Sequence, residues 1–266
     1  MTVSSKEKDF EDAIVKVLYD GGYEKRKPSD FDKKLCLDSE LFAKFVEDTQ
    51  PESWKKLLED NTEEEILKKL VDEIENSSMI DVIRNGFSIY DVDIDCAFFK
   101  PVNKKDADHE KQYQKNILSV IRQAQYDNEG HELDLLLCLN GLPVATAELK
   151  EKSKSQTYKN AIKQYQEDRD PRNTLLKFKR GALVHFAIDA HEVHMTTKLQ
   201  DSETNFIPFN KGRNGGYGNP DNPNGYRTAY LWEQIWQKEI WLDIIGNFIF
   251  YLIEQQPSPL PPKESI

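Results

Sequence analysis

Asp134, Glu148 and Lys150 are the residues of this chain whose types and spacing could do chemistry. Asp134 sits in the run Leu133-Asp134-Leu135-Leu136-Leu137-Cys138-Leu139, and Glu148 and Lys150 close the run Val144-Ala145-Thr146-Ala147-Glu148-Leu149-Lys150. Two carboxylates beside a lysine can hold a hard divalent cation and aim a water at a phosphodiester. The same residue types also occur by chance, and a Glu and a Lys on one strand face are commonly a surface ion pair. What raises the chemical reading is the setting: a carboxylate inside a run of leucines is costly to bury without a partner.

The elements must bring these groups together. Side chains alternate along a strand, so Glu148 and Lys150 share a face. Asn140-Gly141 between the two runs predicts a tight hairpin. A two-residue loop pairs Leu139 with Leu142, sets Asp134 opposite Ala147 and turns Glu148 to the other side. A three-residue loop, with Gly141 left-handed, pairs Cys138 with Leu142. Asp134 then opposes Thr146, with Glu148 one pleat along and about 7–8 Å away at the backbone. A bulge near Pro143 also shifts the parity. The chemistry therefore requires the longer loop or a bulge. Asp134, Glu148 and the backbone carbonyl of Leu149 would then offer only oxygen ligands, which suit Mg²⁺, with Mn²⁺ as a substitute, rather than zinc. Lys150 would orient the water or offset charge on the pentacovalent phosphate.

Around this hairpin the periodicity predicts a mixed sheet with helical cover, an α/β or α+β layout. Residues 6–19 and 39–75 read as helices, with Ser53 and Thr62 as N-caps and a capping box at Thr62-Glu63-Glu64-Glu65. From Ile89 to Phe99 the period is two, which suggests a first strand. Ile117–Ile121, Ala182–Ile188 and Glu192–Thr196 read as further strands. A helix is expected from about Ser155 to Asp168, with Tyr158, Ile162 and Tyr165 on one face. Residues 207–227 read as a long loop, and a last helix over about 229–253 carries Trp232, Trp236 and Ile240 at spacings of four. The expected divisions are a helical part at 1–88 packed on the core, a core at 89–200, a loop and aromatic helix at 201–254, and a Pro-rich linker at 255–266 leading to a further domain.

The 266 residues carry a formal charge of −11, which argues against avid, autonomous nucleic-acid binding. The charge is uneven: Lys150 to Arg180 has a net of +6, leaving −17 for the rest. Within the basic stretch Lys163, Gln164, Arg169, Arg172, Lys177, Lys179 and Arg180 are candidate phosphate contacts. Cys36, Cys96 and Cys138 form no C-x-x-C pair, which disfavours disulfides and thiolate zinc sites and fits a reducing cytosol. No apolar run reaches eighteen residues and Thr2 to Asp9 is too polar for a signal peptide, so the sequence reads as a cytoplasmic protein with no membrane partner.

At these residues the chain resembles a PD-(D/E)xK nuclease, and more narrowly the N-terminal endonuclease region of the R subunit (HsdR) of type I restriction enzymes. The match is carried by Leu133-Asp134-Leu135, by Asn140-Gly141-Leu142-Pro143 through Lys150, and by Ala161-Ile162-Lys163-Gln164-Tyr165 leading into Asp168-Arg169-Asp170-Pro171. It continues through Arg180-Gly181-Ala182-Leu183-Val184-His185-Phe186-Ala187, Val193-His194-Met195-Thr196-Thr197 and Gly225-Tyr226-Arg227-Thr228-Ala229-Tyr230-Leu231-Trp232. The resemblance implies a restriction-endonuclease-like core, Asp134, Glu148 and Lys150 as catalytic residues with Mg²⁺, and double-stranded DNA as substrate. It also implies methyltransferase and specificity subunits as partners, and an ATP-driven translocase elsewhere in the parent protein. No G-x-x-x-x-G-K-[ST] occurs in this chain, so ATP belongs only to that parent. Many relatives carry a Gln four residues before the helix Tyr; here Ala161 stands there and Gln164 is adjacent to Tyr165, which reads better as core. Related nucleases sometimes bring a helix Glu to the metal, a part open to Glu11. His185, His191 and His194 cluster in sequence without the ligand set zinc needs, and Asp91, Asp93 and Asp95 read as a solvated face. The alternative function is a non-catalytic module that docks partner subunits through the acidic helices of 39–75.

Overall fold

The period-two runs build a seven-stranded mixed sheet, and the period-four runs cover it. The structure is a computed structural model and describes residues 5–100, 107–151 and 156–250. Helix α1 (Ser5–Asp20) leads into the short strand β1 (Glu24–Arg26), followed by α2 (Ser39–Thr49), α3 (Pro51–Asp60), α4 (Glu63–Asn76) and α5 (Met79–Asn85). Thr62 caps α4 in the expected box, its hydroxyl accepting from Glu65 N while the Glu65 carboxylate accepts from Thr62 N. Ser53 is no cap: Pro51 opens α3, because a proline at the first helical position loses no hydrogen bond and presets φ.

The alternating run after Ile89 is a correction. It forms no strand of the main sheet but half of a small hairpin, β2 (Phe87–Ile89) with β3 (Val92–Ile94), turned at Tyr90 with φ 53°. Asp91 and Asp93 are spent locally, on Lys56 and on the Ser88 hydroxyl. The chain then runs through α6 (Ala107–Gln114), β4 (Leu118–Gln125), β5 (Glu132–Leu139), β6 (Leu142–Leu149), α7 (Tyr158–Glu167), β7 (Val184–Ile188), β8 (Val193–Thr196) and the two-residue β9 (Ile207–Pro208). The strand order is β1-β4-β5-β6-β7-β8-β9, with β1–β4 and β6–β7 parallel and the other pairs antiparallel. The predicted loop at 207–227 thus begins with an edge strand, and a piece of the 1–88 segment enters the sheet as β1.

The expected single C-terminal helix is broken. A π-helical turn (Leu231–Ile235) gives way at Gln237, whose ψ of 144° is extended, to α8 (Lys238–Asn247). Trp232 and Trp236 are buried by the turn, but the break rotates Ile240 out to 44 % exposure. Residues 251–253 of that expected helix, the start of α7's predicted segment at Ser155 and the linker at 255–266 lie outside the described residues. No described helix is long and apolar enough to cross a membrane, and all three cysteines are buried and free.

The sheet has two unequal cores. Leu135, Leu137 and Leu139 of β5 point into the larger one, with Phe10 and Ile14 of α1, the helices of 39–85 and Trp236 and Trp241. Leu136 and Cys138 point into the smaller one, with Tyr126, Tyr165, Leu175 and Leu176. The smaller face is the one onto which Asp134, in phase with Leu136 and Cys138, also projects.

Candidate active site

The Asn140-Gly141 turn takes φ values of 51° and 81°, the two left-handed residues of a type I′ hairpin. Both ends are tied down: the Asn140 side chain accepts from Ile117 N at 2.7 Å and donates to Cys96 O and Asn116 Oδ1 at 2.9 Å, while Gly141 O accepts from Asp38 N at 2.9 Å. Leu139 therefore faces Leu142 and Cys138 faces Pro143, as the two-residue loop requires. One residue later the register slips, Leu137 facing Ala145 with Val144 as the additional residue. Val144 O is used by Leu183 N at 3.1 Å, so the bulge is held from the residue that leads into the neighbouring strand β7. Of the two devices that could restore the parity, the chain uses the bulge. Leu135 then opposes Ala147, and the next position sets Asp134 directly across from Glu148 rather than one pleat away.

On the other side of β5, the pairs Arg122–Leu135 and Ala124–Leu133 bracket Gln123 opposite Asp134. Gln123, Asp134 and Glu148 thus form a row across three strands. Gln123 has a φ of 47°, and its amide donates to Asp134 Oδ1 at 3.4 Å and to Glu11 Oε2 at 3.1 Å. Glu11 comes from α1, is 3 % exposed, and also accepts from Arg122 Nε. Burial, followed by the nearby Asp134 charge, pushes its carboxyl up against the pull of Arg122. Asp134 Oδ2 accepts from Leu149 N at 2.7 Å, which fixes its carboxylate over the end of β6.

Glu148 is the most constrained group. It is 1 % exposed, and burial first, then the Asp134 charge, push its carboxyl up to about 8 in spite of Arg169 and Lys150. Oε1 accepts from Arg169 at 2.8 Å, whereas Oε2 is buried with no hydrogen-bond partner among the described residues. Lys150 does not pair with Glu148; its ammonium lies 3.6 Å from Glu7 Oε1, on α1, and its backbone N donates to Ile188 O. Beneath Glu148 a buried chain runs from Tyr165 Oη through Thr146 Oγ1 to His185 Nδ1, with both links at 2.8 Å. Burial lowers His185 to about 3, so the imidazole in this chain is neutral. Tyr165 is core, as its helix spacing indicated.

The predicted phosphate contacts divide. Arg169 and Arg180 are buried, the former on Glu148 and the latter on Glu75 and Leu35 O, so neither offers its charge to a surface ligand in this fold. A basic residue in a sequence run looks the same whether its charge is spent inside or out. Lys163 and Lys179 are exposed and Gln164 is half-buried; Lys163 lies 3.5 Å from Glu167. The three clustered histidines separate, His185 into β7, His191 into the turn and His194 into β8, where it stacks on Tyr158 at 4.0 Å.

Glu7, Arg122, Gln123 and the inward role of Arg169 carried no sequence signal; only the sheet order assembles them. The same is true of Asp127, Glu129 and His131, which converge in the β4–β5 connection. There Asp127 accepts from Glu129 N and His131 N at 3.0 Å and pairs with His131 Nδ1 at 2.6 Å, so a side-chain-closed turn accounts for the cluster. The Asp134–Glu148 row offers only oxygen donors, and one of those oxygens is buried without a partner. That set fits a hard divalent cation. In a comparison with known families, the model described as the type I restriction enzyme R protein N terminus matches residues 4–204. No curated protein matches the chain.

Proposed function

The chain belongs to the family of type I restriction enzyme R protein N termini, and from that premise we propose that it is the DNA-cutting region of such a subunit, hydrolysing phosphodiester bonds of double-stranded DNA with Mg²⁺ or Mn²⁺. The observation that carries this reading is Glu148 Oε2, a buried carboxylate oxygen with no partner, on a residue set opposite Asp134 across the hairpin. A buried oxygen of this kind loses its hydration without compensation unless a proton or a cation supplies it.

Asp134, Glu148 and the Leu149 carbonyl would hold the cation, with Glu11 bound to the same Gln123 amide as Asp134. When bound, it supplies Lewis-acid polarisation of the phosphoryl oxygen and a bound water of lowered pKa. The chain's own groups do the rest. Leu149 N and Gln123 fix the Asp134 carboxylate. Lys150, at the rim beside Glu7, orients the attacking water and offsets charge on the phosphate as it becomes pentacovalent. Exposed Lys163 and Lys179, with Gln164, approach the DNA backbone. Methyltransferase and specificity subunits would deliver the DNA, and ATP would act only in the translocating part of the parent.

The test is a supercoiled-plasmid nicking assay with Mn²⁺. The parent chain is expected to nick, and Glu148→Ala to lose at least a hundredfold in rate. Equal nicking by both would refute the assignment.

A further inference from the structure

Arg169 has the composition of a DNA contact and the position of something else. Its side chain is 7 % exposed. Nε and Nη2 both reach Glu148 Oε1 at 2.8 Å, Nη2 also donates to Glu132 O at 2.7 Å, and Nη1 lies 3.5 Å from Asp168 O. The Tyr126 ring stacks beneath it, 5.8 Å from the guanidinium carbon. One side chain thus ties the loop after α7 to the first residue of β5 and to the penultimate residue of β6.

The way it binds Glu148 is informative. An arginine that serves only to neutralise a buried carboxylate gains most from two parallel bonds, one to each oxygen. Here the Glu132 carbonyl draws Nη2 aside, and the fork converges on Oε1 alone. Oε2 is left buried and unpaired, in a carboxyl group that lies close enough to Asp134 to feel its charge. Without that grip the glutamate has three free torsions to order before it can serve as a ligand.

We propose that Arg169 is a positioning residue for the cation centre: it holds Glu148 by one oxygen and so presents the other to the metal. This rests on the reading of Asp134 and Glu148 as cation ligands and adds a residue to it. Groups that orient a ligand from behind typically change metal affinity 10–100-fold when removed, and the same scale is expected here. A role confined to pinning the loop would change stability but leave the affinity of folded protein alone.

The experiment is a Mn²⁺ titration of the whole chain without DNA, following free Mn²⁺ by electron paramagnetic resonance, for the parent, Arg169→Met, Arg169→Lys and Glu148→Ala. The parent should bind and Glu148→Ala should not. Arg169→Met should bind 10–100-fold more weakly. Arg169→Lys keeps the charge but cannot span Glu148 and Glu132 O together, so it should recover only part of the loss. Parental affinity in folded Arg169→Met, with Glu148→Ala still defective, would overturn the proposal and leave the nuclease reading standing. If Arg169→Met does not fold, Arg169→Lys decides: a loss of at least threefold supports the proposal and parental affinity overturns it. Identical titrations of the parent and Glu148→Ala would sink the cation centre itself, and the role of Arg169 with it.

Discussion

A carboxyl group held at about 8 makes the molecule's stability depend on pH in a definite direction. Unfolded, Glu148 releases its proton near 4.5, its ordinary value; folded, it keeps the proton to about 8. Between those values the native state binds more protons than the unfolded one, so stability falls as pH rises and levels off above about 8. Metal-free protein should therefore melt at progressively lower temperature from pH 5 to pH 8, measured by circular dichroism, and Glu148→Gln should flatten that slope. Binding of the proposed cation would release the same proton, so Mn²⁺ affinity should rise over the same interval. Lys150 has a different burden. Its ammonium sits at the rim, paired with Glu7 rather than with a ligand, so Lys150→Ala should abolish nicking while leaving Mn²⁺ binding and DNA binding within a few-fold of the parent. Retained nicking would remove Lys150 from the chemistry.

Among the elements, the β5–β6 hairpin decides whether there is a site. Gly141 stands at φ 81°, and a Cβ there would lie 2.3 Å from Asp38 O, a backbone atom that cannot swing away. Gly141→Ala should cost about 2 kcal/mol or more in chemical denaturation, from left-handed strain and the clash together. The hairpin, its turn residues and both carboxylates were legible in the sequence because each signal is local: two apolar runs, Asn-Gly, and acids where acids do not belong. The register was legible only as a choice. The turn alone would have pointed Glu148 away, and the slip at Val144, held by Leu183 N just ahead of β7, has no local signature beyond Pro143. The same limit explains the other discrepancies. The run after Ile89 alternates as a strand must, yet pairs with its own neighbour because Tyr90 turns back. The Trp-rich segment has one continuous period of four but breaks at Gln237, where Trp232 O and the Gln237 amide join at 2.6 Å. Arg169 reads as a phosphate contact until the fold shows which carboxylate it faces.

On the scale of the molecule, charge would set the affinity for the proposed DNA substrate. The chain carries −11 overall, and the fold spends two of the basic cluster's arginines internally, on Glu148 and Glu75. The isolated chain should bind duplex DNA weakly and lose that binding steeply between about 50 and 200 mM salt. The pair Lys163→Glu with Lys179→Glu should weaken DNA binding at least tenfold in a filter assay without altering Mn²⁺ affinity; no change would move the interface elsewhere. The centre itself is gathered from distant stretches: Glu11 on the first helix, Gln123, Asp134 and Glu148 across three strands, and Arg169 beyond the next helix. A ribosome that has released only the first 150 residues has made every acid of the centre and none of its final grip. Of the residues gathered at the proposed centre, Arg169 is thus the last to leave the ribosome, and a nascent chain without it holds the acids but not their clasp. Nascent polypeptides stalled before Arg169 emerges are expected to leave supercoiled plasmid whole.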